Sequence, residues 1–241
     1  MQLAVARLRN RLLQRRLRNQ GIDSLAERNI HALDGLRGAY KALSCRYVVV
    51  DLETTGLSLA RDRVLSVGAV RLEQGGTLAE DFFYELVNPG CRISSESQQI
   101  HGIAPEMVAD ARCFEEVFSD FLAYLGGDIL IAHHAKFDLH FLNLAMRKAH
   151  GFNLQNLVLD TELMCRHHKV RPPMLPFAPM GIPAGMGLGK LAREMGIRVG
   201  DRHTAIGDAV MTAEIFLKCL ENDFGGAKCS LGRLVWSAGI I

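Results

Sequence analysis

The feature that most constrains the fold is a short apolar run that ends in two acids, two positions apart. The run from Tyr47 to Val50 is rich in β-branched residues, and Asp51 and Glu53 follow it. Such a run predicts a buried strand, and side chains at i and i+2 of a strand lie on the same face. We therefore expect the two carboxylates side by side at the edge of a hydrophobic core. A divalent cation, which prefers oxygen ligands, would relieve their repulsion and their lost hydration.

Length and charge restrict the class of protein. A chain of 241 residues allows one domain with appendages or two small domains. The net charge is +2 but is unevenly spread, because residues 1–20 contain six arginines and no acid. Subtracting those six from the 28 basic residues leaves 22, against 26 acidic ones. The body is therefore not a generally basic nucleic-acid binder, and an acidic site that gains positive charge from bound metal fits this balance.

The arginine-rich start predicts a basic amphipathic helix with Leu8, Leu12 and Leu13 on one face. An Arg-rich, acid-poor start is also typical of a mitochondrial presequence, although no serine precedes Ser24. If residues 1–20 form the helix, its arginines would contact nucleic-acid phosphates or dock a partner protein, or the helix would pack on the body. The sequence does not decide between these roles.

Cysteines and prolines give two further expectations. None of the six cysteines has the C-x-x-C spacing of a zinc or redox site. In a chain of this length we expect them to be reduced and buried, which indicates a cytoplasmic location. The segment 171–189 has no charge from Pro172 to Gly189 and holds five of the seven prolines. It is therefore predicted to be a loop rather than a membrane span, and a second candidate surface for a protein partner.

The element pattern predicts an α/β fold with a mixed sheet flanked by helices. Three strands with turn-length links predict an antiparallel meander, and the later alternation of strands and helices predicts parallel strands. The predicted strands are 47–52, 64–72, 81–87, 129–132 and 157–159. The predicted helices after the first are 24–43, 114–125, 137–150, 161–168, 188–195 and 204–221. We expect a basic N-terminal helical extension over 1–45, a catalytic domain over 46–222 and a C-terminal tail over 223–241 that has no assigned role.

Two more acids and one histidine lie in suggestive places. Asp138 lies at a predicted strand-to-helix junction, and Asp208 lies on the last predicted helix, five residues after His203. Taken singly, an acid in a first helical turn usually complements the helix dipole, and a single histidine is more often structural than catalytic. The combination with the first two acids is far more specific than any of its parts.

Together these five positions resemble the DEDDh exonuclease family, which includes the epsilon proofreading subunit of bacterial replicative polymerases. The motifs follow the family's order over about residues 46–222. The three main motifs read Val50-Asp51-Leu52-Glu53-Thr54-Thr55-Gly56-Leu57, His133-His134-Ala135-Lys136-Phe137-Asp138 and His203-Thr204-Ala205-Ile206-Gly207-Asp208-Ala209. Two intervening signatures look similar as well: Ile100-His101-Gly102-Ile103 and Leu159-Asp160-Thr161.

The resemblance implies a ribonuclease-H-like fold and a metal-dependent 3′→5′ exonuclease that releases 5′-mononucleotides. Asp51, Glu53 and Asp208 would hold one Mg²⁺ or Mn²⁺ ion. Asp51 would bridge to a second ion, which Asp138 would reach directly or through water. His203 would deprotonate the attacking water as general base.

The resemblance also implies a set of contacts to the terminal nucleotide. The family often has asparagine where this chain has His134, which puts the sugar contact there in doubt, and core packing is an equally good interpretation of Phe137. The predicted substrate-binding residues are Thr54, Gly56, Leu57, Ile100, His101, His134 and Phe137.

Several functions remain open from the sequence. The favoured one is an exonuclease acting on the free 3′ end of single-stranded or frayed DNA, either as a proofreading subunit or as a free-standing repair enzyme. An RNA-trimming exoribonuclease of the same family would carry the same residues. A non-catalytic nucleic-acid-binding scaffold would be expected to lose acidic positions, which are intact here. A structure-selective endonuclease would need a groove open at both ends.

Overall fold

A mixed sheet of six strands, in the order β3-β2-β1-β4-β5-β6, forms the centre of the molecule. The computed structural model describes residues 2–18, 21–169, 187–200 and 203–240. The strands are β1 (Tyr47–Thr54), β2 (Val64–Leu72), β3 (Leu78–Leu86), β4 (Ile129–Ala132), β5 (Val158–Asp160) and β6 (Gly239–Ile240). Strands β1 to β3 form an antiparallel meander, and β4 and β5 continue the sheet parallel to β1. The predicted mixed sheet is confirmed.

Helices cover both faces of this sheet. They are α1 (Gln2–Leu17), α2 (Ser24–Ile30), α3 (Ser95–His101), α4 (Pro105–Val108), α5 (Phe114–Leu125), α6 (Lys136–His150), α7 (Thr161–Lys169), α8 (Leu188–Glu194), α9 (Ala205–Phe224) and α10 (Leu231–Ala238). Short 3-10 turns lie at Ala42–Ser44 and Gly226–Lys228. The sequence did not predict α3, α4 or α10. No helix in the described part of the chain combines the length and apolar character needed to cross a membrane.

Alternate residues of β1 supply two separate cores. Val49 belongs to the core that α9 completes with Ala209 and Phe216. Val48 and Val50 belong to the core under α5 and α6. This alternation is why the apolar run had no polar gap, since a strand covered on both faces needs apolar residues on both. The same alternation places Asp51 and Glu53 on the α9 face.

The second helix is shorter than predicted. It was expected to run to about Leu43 but ends at Ile30. Asp23 caps its start, accepting hydrogen bonds from the backbone N–H groups of Leu25 and Ala26, both at 2.9 Å. Beyond its end Gly35 has a φ of 85°, which a helix cannot accommodate.

The buried face of α1 also differs from the prediction. Its buried residues are Leu3, Asn10 and Leu17, whereas Leu8 and Leu12 are exposed. Asn10, which the sequence analysis did not single out, donates its amide to the Ile30 carbonyl at 2.9 Å and to Gln155 Oε1 at 3.0 Å. These contacts place α1 at the end of the sheet where β5 begins.

The tail and two of the cysteines correct further expectations. Helix α10 buries Leu231 and Leu234 in the α9 core, and β6 pairs with β5, so the C-terminal residues are part of the folded body. All six cysteines are free, but Cys91 and Cys113 are exposed, against the prediction of burial. Most of the predicted loop 171–189 lies outside the described residues.

Candidate active site

Three of the predicted acids form one cluster. Asp51 and Glu53 on β1 and Asp208 on α9 each offer a carboxylate oxygen, and these three oxygens lie within 4.8 Å of one another. Asp208 is buried, and the other two are half-buried. Oxygens from three carboxylates are the donor set that hard divalent cations take in proteins. The residues present therefore fit a Mg²⁺ or Mn²⁺ site.

The cluster depends on a close approach between α9 and the sheet. Gly68 of β2 pairs with Asp51 of β1. A Cβ atom on Gly68 would lie 2.3 Å from the carbonyl carbon of Ala205 and 2.3 Å from the Ile206 nitrogen. Only glycine leaves room for the first turn of α9 at this point, and that turn carries Asp208 toward Asp51. A glycine inside an apolar strand is a recognised sign of such an approach, so the position of Gly68 in the sequence already carried this signal.

Asp138 lies beside the cluster of three. It is on the first turn of α6, it is buried, and its Oδ1 accepts a hydrogen bond from the Leu52 backbone N–H at 3.1 Å. Leu52 lies between Asp51 and Glu53, so this bond joins α6 to the strand that carries both acids. Burial, and secondarily the charges of Asp160 and Glu53, raise the pKa of Asp138 to about 8, against the lowering effect of the hydrogen bond from Leu52. Burial in the metal-free protein therefore favours the protonated carboxyl more than exposure to solvent would.

Two histidines of the motifs have a strained backbone. His134 has a φ of 64° and His203 a φ of 61°, in the left-handed region that residues other than glycine rarely adopt. His203 is half-buried and lies one residue before Thr204, the N-cap of α9, which accepts a hydrogen bond from the Gly207 backbone N–H at 3.2 Å. Strain of this kind occurs preferentially at functional sites.

His134 lies on the rim of the site. Its side chain is 67% exposed, and its Nδ1 lies 2.5 Å from Glu162 Oε2. Its backbone N–H and that of Ala135 donate to the Asp160 carboxylate, at 3.2 and 3.1 Å. Asp160 also accepts from the Glu162 backbone N–H at 2.8 Å. Asp160 therefore ties the start of α7 to the turn before α6, which is the structural role expected of a cap.

The turn after Glu53 is held by one carboxylate. Asp62 accepts hydrogen bonds from the Thr55 hydroxyl at 2.9 Å and from the Ser58 backbone N–H at 2.7 Å. A Cβ on Gly56 would lie 2.7 Å from an Asp62 oxygen, so a side chain there would displace the carboxylate from these hydrogen bonds. Thr54 is buried, and its hydroxyl donates to the Gly56 carbonyl at 2.6 Å. Nothing in the sequence distinguished Asp62 from other surface acids.

His101 supports the same turn from behind. The Ile103 backbone N–H donates to His101 Nδ1 at 3.0 Å, so the neutral ring carries its proton on Nε2. The Nε2–H group donates to the Ser97 hydroxyl oxygen at 2.8 Å, and Ser97 in turn donates to the Thr54 carbonyl at 3.1 Å. Burial, and secondarily the nearby charge of His203, lower the pKa of His101. The substrate contact of His101 stays a prediction. The structure adds a series of hydrogen bonds from His101 through Ser97 to the end of β1, which the sequence did not indicate.

The remaining predicted substrate residues differ in exposure. Leu57 is 86% exposed and Ile100 is 58% exposed, so both present apolar surface to solvent. Phe137 is half-buried and packs on Phe141, with ring centroids 5.3 Å apart. The first two can meet a ligand without rearrangement, and the third contributes to the α6 core.

Comparison with known proteins identifies relatives over the same region. The family model described as Exonuclease matches residues 48–216. A DNA polymerase III subunit epsilon-like protein of Rhodobacter capsulatus is 40% identical over 177 residues, covering 72% of this chain and 23% of that protein. A DNA polymerase III PolC-type of Thermotoga maritima is 33% identical over 176 residues, 73% of this chain and 12% of that protein. The chain thus matches less than a quarter of the length of either.

A third relative and two solved structures match more completely. The DNA polymerase III subunit epsilon of Aquifex aeolicus is 33% identical over 175 residues, covering 73% of this chain and 80% of that protein. Exonuclease X in complex with 5′ overhanging duplex DNA has a TM-score of 0.55 at 21% identity, covering 78% and 98% of the two chains. Exonuclease I has a TM-score of 0.60 at 18% identity, covering 73% and 41%. At these identities the two structures show the fold, and the predicted ribonuclease-H-like sheet is confirmed.

Proposed function

This chain belongs to the exonuclease family, and from that premise we propose that it hydrolyses the terminal phosphodiester at the 3′ end of nucleic acid and releases 5′-mononucleotides. The family predicted from the five motif positions is confirmed by the match over residues 48–216. DNA is the favoured substrate because the most similar relatives are named as DNA polymerase subunits.

The cluster of Asp51, Glu53 and Asp208 is the observation that carries the proposal. Three carboxylate oxygens within 4.8 Å of one another would be strongly repulsive without positive charge between them. Divalent ions held there, Mg²⁺ or Mn²⁺, would supply the charge that stabilises the attacking and leaving oxygens of phosphodiester hydrolysis. Asp138, bonded to the backbone between the first two acids, would release its proton when such charge arrives and complete the ligand set.

His203 is assigned the role of general base toward the attacking water. It lies outside α9, one residue before its N-cap, so its side chain is not constrained by the helix. An imidazole exchanges protons near neutral pH, which suits this task. Its left-handed backbone is a cost that a purely structural surface histidine would not need to bear.

Leu57 and Ile100 would hold the terminal base. Both are apolar and exposed, and each lies a few residues from groups that are bonded to the end of β1. Bases offer apolar faces, so packing between the two side chains would select a nucleotide end with little preference for sequence. The hydrogen bonds from His101 to Ser97 and from Ser97 to Thr54 would hold the helix end that carries Ile100 at a fixed position relative to the acids.

The test uses DNA and RNA oligonucleotides of the same sequence, each labelled at the 5′ end, with Mn²⁺, Mg²⁺ or a chelator. We expect a ladder of labelled products that shorten stepwise from the 3′ end, stronger on DNA and absent with chelator. A faster ladder on RNA would assign the chain to RNA trimming. Early release of a labelled mononucleotide, internal cuts, or no cleavage with intact binding would each contradict the proposal.

A further inference from the structure

Two cysteines that the proposed function does not use touch each other in the core. Cys165 on α7 and Cys219 on α9 are 4% and 0% exposed. Their sulfur atoms lie 2.7 Å apart, closer than two sulfurs that merely pack together. A disulfide bond is about 2.05 Å long, so only a small movement separates the two thiols from a covalent bond.

The surroundings distinguish this pair from the other four cysteines. Cys91 and Cys113 are exposed, whereas Cys45 and Cys229 lie in the same core but donate to the carbonyls of Lys41 and Ser230. The hydrogen bond with Cys219, together with burial, raises the pKa of the Cys165 thiol, which disfavours the thiolate. A bulky disulfide reagent would therefore react poorly here, because exchange requires an accessible thiolate. Peroxide also reacts with the thiolate, so oxidation would occur during local opening, when water and a small neutral oxidant reach the pair and one thiol can ionise.

We propose that Cys165 and Cys219 are a modification site that hydrogen peroxide converts to an intramolecular disulfide. The sulfur of one cysteine attacks a peroxide oxygen, the O–O bond breaks, and a sulfenic acid and one water form. The second sulfur then attacks the sulfenic sulfur, its proton leaves with the hydroxyl as a second water, and the S–S bond forms. The two thiols lose two electrons, and peroxide gains them.

The bond would join two helices that carry parts of the site. Helix α7 begins immediately after Asp160, and α9 carries Asp208 about three helical turns before Cys219. The two cysteines are 54 residues apart, so the link would restrict the unfolded chain more than the folded one. The expected consequence is a fold that resists unfolding under oxidising conditions, and it does not depend on the proposed nuclease activity.

The test uses a C91S/C113S variant, which removes both exposed thiols. The folded protein is treated with a small excess of peroxide, quenched with catalase, denatured and alkylated, and then analysed by intact mass and peptide mapping. Of the four remaining cysteines, we expect Cys45 and Cys229 to be alkylated and a Cys165–Cys219 linked peptide to appear, with loss of two hydrogens. Dithiothreitol should reverse it, and the melting temperature should rise by on the order of 5 °C in the oxidised form only.

Three results would overturn the proposal. Alkylation of all four thiols, at a peroxide dose that oxidises Cys91 in the unmodified chain, would show that the pair does not react. A bond between other cysteines, or sulfinic acid on Cys165 in place of the link, would show that contact does not lead to coupling. A C165A variant that still loses two thiols would exclude this pair, and since mapping uses native Cys165 and Cys219, the test does not require that variant to fold.

Discussion

The two ends of the central sheet stabilise their buried carboxylates by different means. Where β4 and β5 begin, Asp128 is buried but ion-paired with two arginines, Arg46 at 2.9 Å and Arg71. Where these strands end, Asp138 is equally buried, and its pKa is raised to about 8. One end carries its own positive charge, whereas at the other end burial raises the pKa of the carboxyl.

The contrast separates charge that maintains the fold from charge that is available for a ligand. The Arg71 side chain is only 13% exposed and forms an ion pair with Asp128. The protein itself therefore balances the charge of Asp128 at the end where β4 and β5 begin. Buried amides complete that end, with Asn156 Nδ2 donating to the Asp128 carbonyl at 2.8 Å and Asn29 donating to Asn156 at 2.5 Å. At the site end, three carboxylate oxygens lie within 4.8 Å of one another, and the proposed divalent ions would offset their repulsion. Variants at the two ends should therefore show opposite effects on activity and on stability.

The largest expected effect is at Asp51. Asp51→Asn should abolish cleavage, because the proposal places this charge between both ions, while the apo fold should be kept or slightly stabilised as repulsion falls. Cleavage rate and thermal unfolding of the same preparation measure the two effects. Cleavage within about tenfold of the wild type at saturating Mn²⁺ would remove Asp51 from the metal site.

His203→Ala should lower turnover by roughly 10²–10⁴-fold, the span of general base catalysis. Affinity for Mn²⁺ should be retained, because the imidazole is not a ligand in this mechanism. Isothermal titration calorimetry beside single-turnover kinetics distinguishes the roles. If affinity and rate fall together, the histidine binds metal and the assigned mechanism is wrong.

The complementary change is at the other end of the sheet. Asp128→Ala should destabilise the fold by about 3 kcal/mol, because it removes a buried carboxylate that pairs with the half-buried Arg71 and leaves that cation only Asp81 and the Tyr124 carbonyl, yet kcat of the folded fraction should change little. Urea unfolding measures the first and initial rates the second. Arg46→Ala is the matched control, since that side chain is 51% exposed and its pair should contribute little. A variant with normal stability but lost activity would contradict the division between the two ends.

Asp138 makes a pH-dependent contribution that Asp138→Asn should remove. Its pKa in the fold, about 8, lies above the ordinary value of 3.8, so the folded chain binds more protons across that interval. Stability of the metal-free protein should therefore fall as pH rises from about 4 to 8, by on the order of 5 kcal/mol. The asparagine variant should show a flatter profile while still accepting the Leu52 N–H. Identical profiles with and without the carboxyl would contradict the assigned pKa.

The smallest effect is expected from the arginines of α1. The helix packs at the end of the sheet opposite the acids, so replacing the exposed Arg9, Arg11, Arg15 and Arg16 with alanine should hardly alter nucleic-acid binding. The slope of log K against log salt should change by less than the value of about 0.7 for one phosphate contact on single strands. A change in slope equal to several phosphate contacts would show that nucleic acid reaches this helix, whereas equal slopes favour packing or a protein partner.

Most of the sheet could be predicted because its signals are local. The continuous apolar run at Val48–Val50 predicts a strand, and the spacing of apolar residues in α9 predicts a helix. Both elements form where expected. The end of α2 was missed because the predicted helix 24–43 was extended through Gly35, whose left-handed backbone a helix cannot accommodate. Helix α10 was missed because glycines precede it and its apolar residues gain meaning only against the α9 core.

The acidic residues of the candidate site could be predicted from the sequence, but the contacts that hold them in position could not. Asp51, Glu53 and Asp208 were named from motif spacing, and the fold brings them together. The roles of Ser97 and Asp62 arise from contacts between segments far apart in the chain, which no local pattern encodes. Sequence motifs therefore identify groups that do chemistry more readily than groups that hold them in place.

The contact between Gly68 and the start of α9 also sets when the protein can become active. Asp51 and Glu53 are synthesised early in the domain, but their third partner arrives only with α9, near its end. Until that helix is made and its backbone settles against β2, a growing chain has a sheet and no assembled acidic cluster. Long-range contacts of this kind form late in folding, after the loops between them have closed. A chain that is interrupted before residue 205 would therefore be a folding intermediate that cannot cut the nucleic acid around it.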